Sequence, residues 1–429
     1  MTAGSASANA RSEAMKSILL VVENLPVPYD RRVWQQALAL KAANYQVTVV
    51  SPATQRYPKL AEQLEGIQVY RYPMLIEGKG YLGLIAEYLW SFVCIFFWTL
   101  FVSLRRGFKV IMMANPPDLY FPIVWMWRLL GKKTVFDHHD LTPELFATKF
   151  HLNRSVVLSF FYFAESCMLR AVHKVVSTNE SYKAIAMQRG GRRAEDVVVV
   201  RNAPDPMRFS VRTPDPVLRK SAKYLIAFLG EIGQQDGVDV LIRAISVINA
   251  QLGPNAVHYV LMGAGPHYDN IVAYAKSSGV ADQITFTGRA DNDMICRVLS
   301  TADIAVDPCP YSPHANVSTA TKIMEYMYFS LPVIAFDLLE TRRSGDESIC
   351  YARRDDEGHF SELIVELLRD PERRRELGRS ARIRLDTTLS WRVSTRNLLT
   401  LMDDLIGRDS AAMHDPLELD KVQFSKRDE

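Results

Sequence analysis

The chain has little cysteine, and what it has follows no pattern. Its five cysteines (Cys94, Cys167, Cys296, Cys309 and Cys350) stand far apart with no CxxC pair. That argues against a zinc site and a disulfide framework, and fits a reducing compartment. An excess of one charge is missing too. Lys and Arg number 51 against 48 Asp and Glu, a formal net charge of +3, so there is no electrostatic footprint for nucleic acid. Residues 1–15, MTAGSASANARSEAM, hold no apolar core and read as a disordered start, not a secretory signal. No GxGxxG follows the first apolar run, where a dinucleotide-binding fold would carry one. A dehydrogenase is disfavoured on that ground. At 429 residues the chain exceeds the usual single-core size, and two domains are expected.

Short apolar runs alternate with helical patterns. Ser17–Val22, Val47–Val50, Ile67–Tyr72, Val110–Met113, Lys132–Phe136, Lys174–Ser177 and Val197–Val200 read as strands. Such β-α-β order implies a parallel sheet with helices on its faces. After the first strand, Asp30 is placed to cap a helix that Arg31 and Arg32 open. Those two arginines either add positive charge beside a phosphate site or are plain surface residues. One run breaks the pattern: Tyr88 to Leu104, YLWSFVCIFFWTLFVSL, has no charge, and Arg105, Arg106 and Lys109 follow it. Taken as a helix over 81–104, it is either a buried core helix or one that packs on the sheet and dips into lipid. Asp137-His138-His139-Asp140 ends a strand, where side chains point into the crevice of an α/β sheet.

From Arg201 to Lys223 the sequence is polar, rich in proline and without period, and 206–223 reads as a linker. The alternation restarts at Tyr224–Leu229. Gly230 to Gly237 is a glycine-rich loop whose amides suit phosphate oxygens, and Gly230 and Gly233 belong to it. Gly263-Ala264-Gly265-Pro266 follows the next strand and is consistent with a simple turn. Ile304 to Glu340 reads as strand, loop, helix and strand, with the helix capped by Ser318 or Thr319. Lys322 and Glu325 share a face of that helix. They are either an exposed surface pair or a phosphate ligand beside a sugar-hydroxyl ligand. A last helix begins at Ser390-Trp391, and 408–429 reads as a charged, disordered tail.

In order and spacing these motifs are similar to those of GT-B glycosyltransferases of the family 4 retaining type, as in bacterial surface and exopolysaccharide biosynthesis. The resemblance rests on Asp30-Arg31-Arg32-Val33-Trp34, Asp140-Leu141-Thr142-Pro143-Glu144, Asn202-Ala203-Pro204-Asp205 with Phe209, Gly263-Ala264-Gly265-Pro266, and above all Lys322-Ile323-Met324-Glu325-Tyr326-Met327 with Leu331-Pro332-Val333-Ile334. It covers about Lys16 to Gly407 and implies an α/β protein of two Rossmann-like domains, with parallel sheets facing a cleft. The domains would be 16–205 on the acceptor side and 224–389 on the donor side, with 390–407 crossing back.

The resemblance implies a nucleotide-sugar donor, UDP- or GDP-linked, and a polyprenyl-linked or glycan acceptor. It implies no cofactor and no metal. Glu325 would grip the ribose. The amides near Ala320 and Thr321 would take the diphosphate, with Lys322 adding charge. His139 would lie by the donor sugar, with His138 and Asp140 beside it. Arg289, Asn316, Ser318 and Thr319 complete the expected donor contacts, and Asp30, Arg31, Arg32 and His138 the acceptor side. A cytoplasmic protein held at the membrane surface is expected. Two departures stand out. Val317 replaces the first glutamate of the family's E-x7-E motif, and Glu231 and Asp236 stand where the family often has Arg and Lys. They keep open a second reading, a nucleotide-sugar-binding scaffold subunit with weak or no transfer.

Overall fold

The computed structural model describes residues 16–75, 80–150, 156–205 and 208–407. The expected disordered start and charged tail lie outside the described residues, as do 206 and 207. Two compact units divide the chain: residues up to Arg201 together with those from Ser394 onward, and Asn202–Val393.

In the first unit the apolar runs form a sheet because strands covered on both faces must be apolar throughout. Its strands are β1 (Ser17–Val21), β2 (Gln46–Ala53), β3 (Ala61–Leu64), β4 (Ile67–Pro73), β5 (Val110–Ala114), β6 (Lys133–His138), β7 (Lys174–Ser177) and β8 (Val197–Val199). They lie in the order β3-β4-β2-β1-β5-β6-β7-β8. Only β3 runs antiparallel, against β4. Helix α1 (Arg31–Ala42) follows β1, and the Asp30 carboxylate accepts the Val33 N–H at 2.9 Å, so the expected cap is present. Helices α2 (Gly80–Arg105), α3 (Phe121–Leu129), α4 (Thr142–Phe150), α5 (Val156–Ala171) and α6 (Glu180–Gly190) complete the unit before residue 201.

Helix α2 carries two apolar stripes. Tyr88, Ser91, Ile95, Thr99 and Val102, at spacings of three and four, are buried against the sheet. Leu89, Val93, Phe97, Phe101 and Leu104 form the opposite row, with Phe97 63% and Leu104 89% exposed. Ile95 and Val102 share one core with Val124 and Trp127 of α3 and Met168 and Leu169 of α5. The Trp127 indole N–H donates to Thr99 at 3.1 Å, holding α2 beside α3. One face of this segment is core, and the other is exposed.

The second unit holds β9 (Tyr224–Leu229), β10 (Val257–Met262), β11 (Ile284–Gly288), β12 (Ile304–Asp307), β13 (Val333–Phe336) and β14 (Cys350–Ala352), with helices α7 (Val238–Leu252), α8 (Tyr268–Ser277), α9 (Asn292–Thr301), α10 (Pro313–Val317), α11 (Thr321–Tyr328), α12 (Leu339–Gly345), α13 (Glu357–Arg369) and α14 (Pro371–Arg384). Its sheet is parallel, in the order β11-β10-β9-β12-β13-β14. The last helix, α15 (Trp391–Ile406), starts in this unit and from Ser394 belongs to the first. Its Asn397 amide donates to Val199 O at 2.9 Å.

The stretch expected to be a free linker is strapped to the second unit. Phe209 is buried in that unit's core. Arg212 N–H donates to Ser300 at 2.9 Å, Asp215 N–H to Thr301 at 2.8 Å, and Arg297 pairs with Asp215 at 2.6 Å. Polar, proline-rich sequence lacks a period but still supplies backbone donors and carboxylates, and the end of α9 uses them.

Candidate functional site

In a doubly wound sheet, ligands bind beyond the carboxyl ends of the strands, where the strand order reverses. In the second unit that point lies between β9 and β12, since β10 lies on the far side of β9. Three loops meet there. Gly237, at φ 67°, leaves room for the loop after β12: a Cβ on it would lie 2.0 Å from Pro308 O. A Cβ on Gly263 would lie 1.8 Å from Gly230 O, and one on Gly265 2.6 Å from Ile232 O. The Gly263 and Gly265 pair thus seats the loop after β9 on the loop after β10. Their smallness is used by neighbouring backbone, whatever their amides meet in the expected donor site.

Two helices, not one, follow β12. The short α10 is capped by Ser312, with Pro313 at its first turn. Ser318 closes α10 instead of opening the next helix, and its hydroxyl lies 3.3 Å from His314 Nε2. Thr319 lies between the helices. Ala320 takes the cap position of α11 without a side-chain bond, which corrects the expected Ser318 or Thr319 cap. Asn316 Oδ1 accepts the Leu339 N–H at 3.0 Å, so that oxygen holds α12 in place.

Lys322 sits in the first turn of α11, and its ammonium points at the switch point. It lies 3.3 Å from Asp307 at the end of β12, 3.4 Å from Asp236 in the loop after β9, and 4.7 Å from the Phe228 ring centre. Gly230 makes room for it, since a Cβ there would meet the Lys322 side chain at 2.9 Å. Burial pushes the ammonium toward neutrality, but Asp307 and Asp236 outweigh it and hold the group above its ordinary value. Glu325, one turn on, lies 3.8 Å from Arg208. Of the two readings left open, the exposed Lys322–Glu325 surface pair does not form, because each side chain meets a partner from elsewhere in the unit. Tyr326 reinforces the point of reversal. Its hydroxyl accepts the Leu229 N–H at 2.8 Å and lies 3.3 Å from Val306 O, bridging β9 and β12. Glu231 and Arg289 are exposed on their loops.

In the first unit the reversal lies between β1 and β5. Asn115, fully buried after β5, fixes the loop after β6. Its amide donates to Asp140 O at 2.7 Å and to Asp118 at 3.0 Å, and its Oδ1 accepts the N–H groups of His139 at 2.9 Å and Asp140 at 3.1 Å. His139 Nδ1 lies 3.6 Å from Asp137, a charge contact longer than a hydrogen bond. Burial pushes the imidazole down, and Asp137 outweighs this and raises it.

His138 is a correction. Neighbours on a strand face opposite ways, and this ring is fully buried with Nε2 3.0 Å from Glu165. Arg189 closes that cluster on Glu165 at 2.8 Å and on Glu144. Arg32 is a second correction: it is buried and bound to Asp137 at 2.7 Å, so its charge serves the fold. Arg31 is exposed.

Sequence reasoning passed over Asp307, Tyr326, Asn115 and Glu23. Asp307 and Asn115 end strands at the two reversal points, a signal the sequence did contain. Glu23, two residues past β1, is 2% exposed and accepts the Ser91 hydroxyl at 2.9 Å. Burial pushes its carboxyl up to about 8 from an ordinary 4.5. Below the unfolded-state value both states hold the proton. As pH rises toward 8 only the folded state keeps it, so this group makes stability fall across that window. Glu23→Gln removes the slope, although the amide must also be buried, which returns part of the gain. Urea melts should show the variant about 1–2 kcal/mol more stable than wild type near pH 7.5 and equal or weaker near pH 4.

Comparison with known proteins agrees with this architecture. Residues 29–203 match the family model described as a glycosyl transferase 4-like domain, and residues 223–370 match glycosyl transferases group 1. A GDP-mannose-dependent alpha-(1-6)-phosphatidylinositol monomannoside mannosyltransferase from Mycobacterium tuberculosis is 28% identical over 104 residues, 22% of this chain and 26% of that protein. The chain thus spans about a quarter of the length of the curated relatives it matches. Sucrose-phosphate synthase from Thermosynechococcus elongatus shares the fold at 17% identity, with a TM-score of 0.69 over 91% of this chain and 99% of that one. Anabaena HepE in complex with UDP does so at 14% identity, with a TM-score of 0.67 over 90% of this chain and 100% of that one. Each unit matches a glycosyltransferase family model over a Rossmann-like parallel sheet, and the chain has the GT-B fold.

Proposed function

We propose that this protein transfers a sugar from a UDP- or GDP-sugar to a lipid-linked or polysaccharide acceptor, with retention of anomeric configuration, at a cytoplasmic membrane surface. The observation that carries the reading is Lys322, a charged side chain held at the strand-order reversal of the group 1 domain. On this reading Lys322 and the first amides of α11, near Ala320 and Thr321, stabilise the leaving diphosphate, where developing negative charge is worth most in a water-poor site. Glu325 holds the ribose. Gly230, Gly233 and Arg289 border the donor, and Asn316, Ser318 and Thr319 shape the sugar side. Within the first unit, His139 and Asp140, pinned by Asn115, are the groups proposed for sugar chemistry, and Asp30 and Arg31 those proposed for the acceptor. Retention follows if the acceptor attacks the face the diphosphate leaves and the leaving phosphate accepts its proton.

A lipid-linked acceptor suits the outer row of α2. Trp125 and Leu129 of α3 and Val156, Phe160 and Phe163 of α5 are also exposed, with Leu129 87% open. Arg105, Arg106 and Arg128 are exposed at the ends of α2 and α3, where apolar side chains meet solvent. Apolar insertion beside cations matches an interfacial surface.

The test uses full-length protein, vesicles containing anionic lipid and polyprenyl-linked acceptor, and a panel of labelled UDP- and GDP-sugars. Label should enter the lipid fraction, and Phe97→Ser with Phe101→Ser should reduce vesicle binding about tenfold or more while leaving nucleotide-dependent thermal stabilisation unchanged. Protein that never sediments with vesicles, or label that reaches only water, would sink the lipid-linked reading. A second reading is favoured by one observation: two carboxylates already occupy Lys322. It is a nucleotide-sugar-binding scaffold without transfer, and it predicts thermal stabilisation by donor with no labelled product.

A further inference from the structure

Lys322 is the single ammonium between two carboxylates, and these are not equivalent. Asp307 ends β12, is 2% exposed and stands in register with Ala335 of β13. Asp236 stands in the one-turn helix Gln234–Asp236 on the loop after β9. Its Oδ1 lies 3.4 Å from Lys322 Nζ, and its Oδ2 accepts the Gly233 N–H at 3.1 Å. One carboxylate therefore engages a lysine and a glycine-loop amide together. Those are the two kinds of donor that a phosphate group takes at a glycine-rich loop.

We infer that Asp236 is a built-in anion occupying the place of the donor's diphosphate, and that nucleotide binding proceeds by displacing it from Lys322 and from the Gly233 amide. This rests on the donor-site reading above and adds to it what the acidic loop does. Charge decides which group leaves. With both aspartates ionised the trio is net negative, and a diphosphate bringing two or three further charges to one ammonium is opposed. Asp307 is buried on a strand, where its side chain has little room to turn. Asp236 needs only a side-chain rotation, and the single movement frees two donors.

Protonation is the other way for Asp236 to let go. The groups facing it are Lys322 from α11 and Asp307 from β12, with the Cys309 thiol close by on the loop after β12 and Glu231 exposed on its own loop. Burial pushes the Asp236 carboxyl up, and Asp307 adds to this. Lys322 and the Gly233 amide oppose the rise without cancelling it. Cys309, half-buried and pushed up to about 12 by desolvation and by Asp307, stays a neutral thiol and does not compete. A raised carboxyl that must leave an ammonium takes up a proton as the diphosphate arrives. Wild-type affinity should therefore rise as pH falls, beyond what the nucleotide's own phosphate titration gives.

The experiment is calorimetry on the full chain with inorganic pyrophosphate, UDP and GDP, in buffers of different ionisation enthalpy near pH 6 and pH 8. The proteins are wild type, Asp236→Asn, Asp236→Ser and Lys322→Met. Both Asn and Ser keep an acceptor for the Gly233 amide, and melting curves check each fold. Asp236→Asn should bind pyrophosphate and nucleotide tenfold or more tighter near pH 8, and the wild type's proton uptake should vanish in it. Equal or weaker binding by folded Asp236→Asn and Asp236→Ser overturns the inference while leaving the donor site standing. Nucleotide binding that Lys322→Met does not weaken overturns both, as does an absence of nucleotide binding in every folded variant.

Discussion

Arg32→Met should lower the unfolding free energy by about 3–5 kcal/mol, measured by urea denaturation near pH 8. The guanidinium does not face solvent. Its Nε lies 2.9 Å and its Nη2 2.7 Å from Asp137, while Nη1 donates to Val200 O at 2.9 Å. Asp137 is fully buried and takes one further bond, from Gln36 at 3.0 Å. Burial alone would push its carboxyl up. Arg32, helped by His139, outweighs this and holds it well below the usual carboxylate range. Removing Arg32 leaves a buried anion with one amide and a distant imidazole. The cost is that of the unpaired charge, which exceeds the net worth of the intact pair. Arg32→Met with Asp137→Leu should therefore recover much of the loss, because both charges leave together.

The size of the defect should depend on pH. In the wild type Asp137's depressed value means its contribution is present above the unfolded carboxylate range and is lost only as pH falls through the folded value. In Arg32→Met, His139 becomes the cation left beside Asp137. It also loses the repulsion that Arg32 exerts on it. A His raised by its partner stabilises below its folded value and ceases to as pH rises through it. The Arg32→Met defect should therefore be smaller near pH 6 than near pH 8. A defect that is flat with pH would mean that His139 does not compensate and that its contact with Asp137 is incidental.

Arg32 also marks where sequence reading reached its limit. The strands of both sheets were legible because covered parallel strands are apolar throughout, as in Ser17–Val21 and Tyr224–Leu229. The edge strand Ala61–Leu64, AEQL, was not, since exposure of its side chains leaves no apolar signature. The start of α10 was marked by Ser312-Pro313, a cap followed by a first-turn proline, but the break before α11 carries no side-chain cap to mark it. His138 and His139 were separable in principle, because side chains alternate along a strand. Partners were beyond reach. Nothing local pairs Arg32 with Asp137, or Lys322 with Asp236, since those distances are set only when two sheets and their loops have closed. A charged residue beside a glycine loop reads the same whether it meets a ligand or a carboxylate.

Lys322→Met should weaken nucleotide binding and reduce sugar transfer by about 100- to 1,000-fold, with the larger share in kcat, because the group meets the diphosphate in the ground state and acts most where charge develops on it as it leaves. The substitution has a second consequence that must be separated from the first. With the ammonium gone, Asp307 and Asp236 face each other across the space it filled. One will take up a proton or turn away, and the unit should lose about 1–3 kcal/mol. Lys322→Met combined with Asp236→Asn removes that repulsion. It should melt near wild type and still be inactive. If the double variant regains both stability and transfer, the lysine's part is structural and the diphosphate is held by the α11 amides alone. If it regains stability only, the loss belongs to the chemistry. Glu325→Ala supplies the contrast. A ribose contact is made equally before and during transfer, so its removal should raise KM for the donor with a smaller change in kcat. The ion pair with Arg208 is long and partly exposed, so its loss should cost little stability. Opposite splits at positions one turn apart on α11 would distinguish a group that stabilises the leaving group from one that grips the nucleotide, which overall rate loss at either position cannot do.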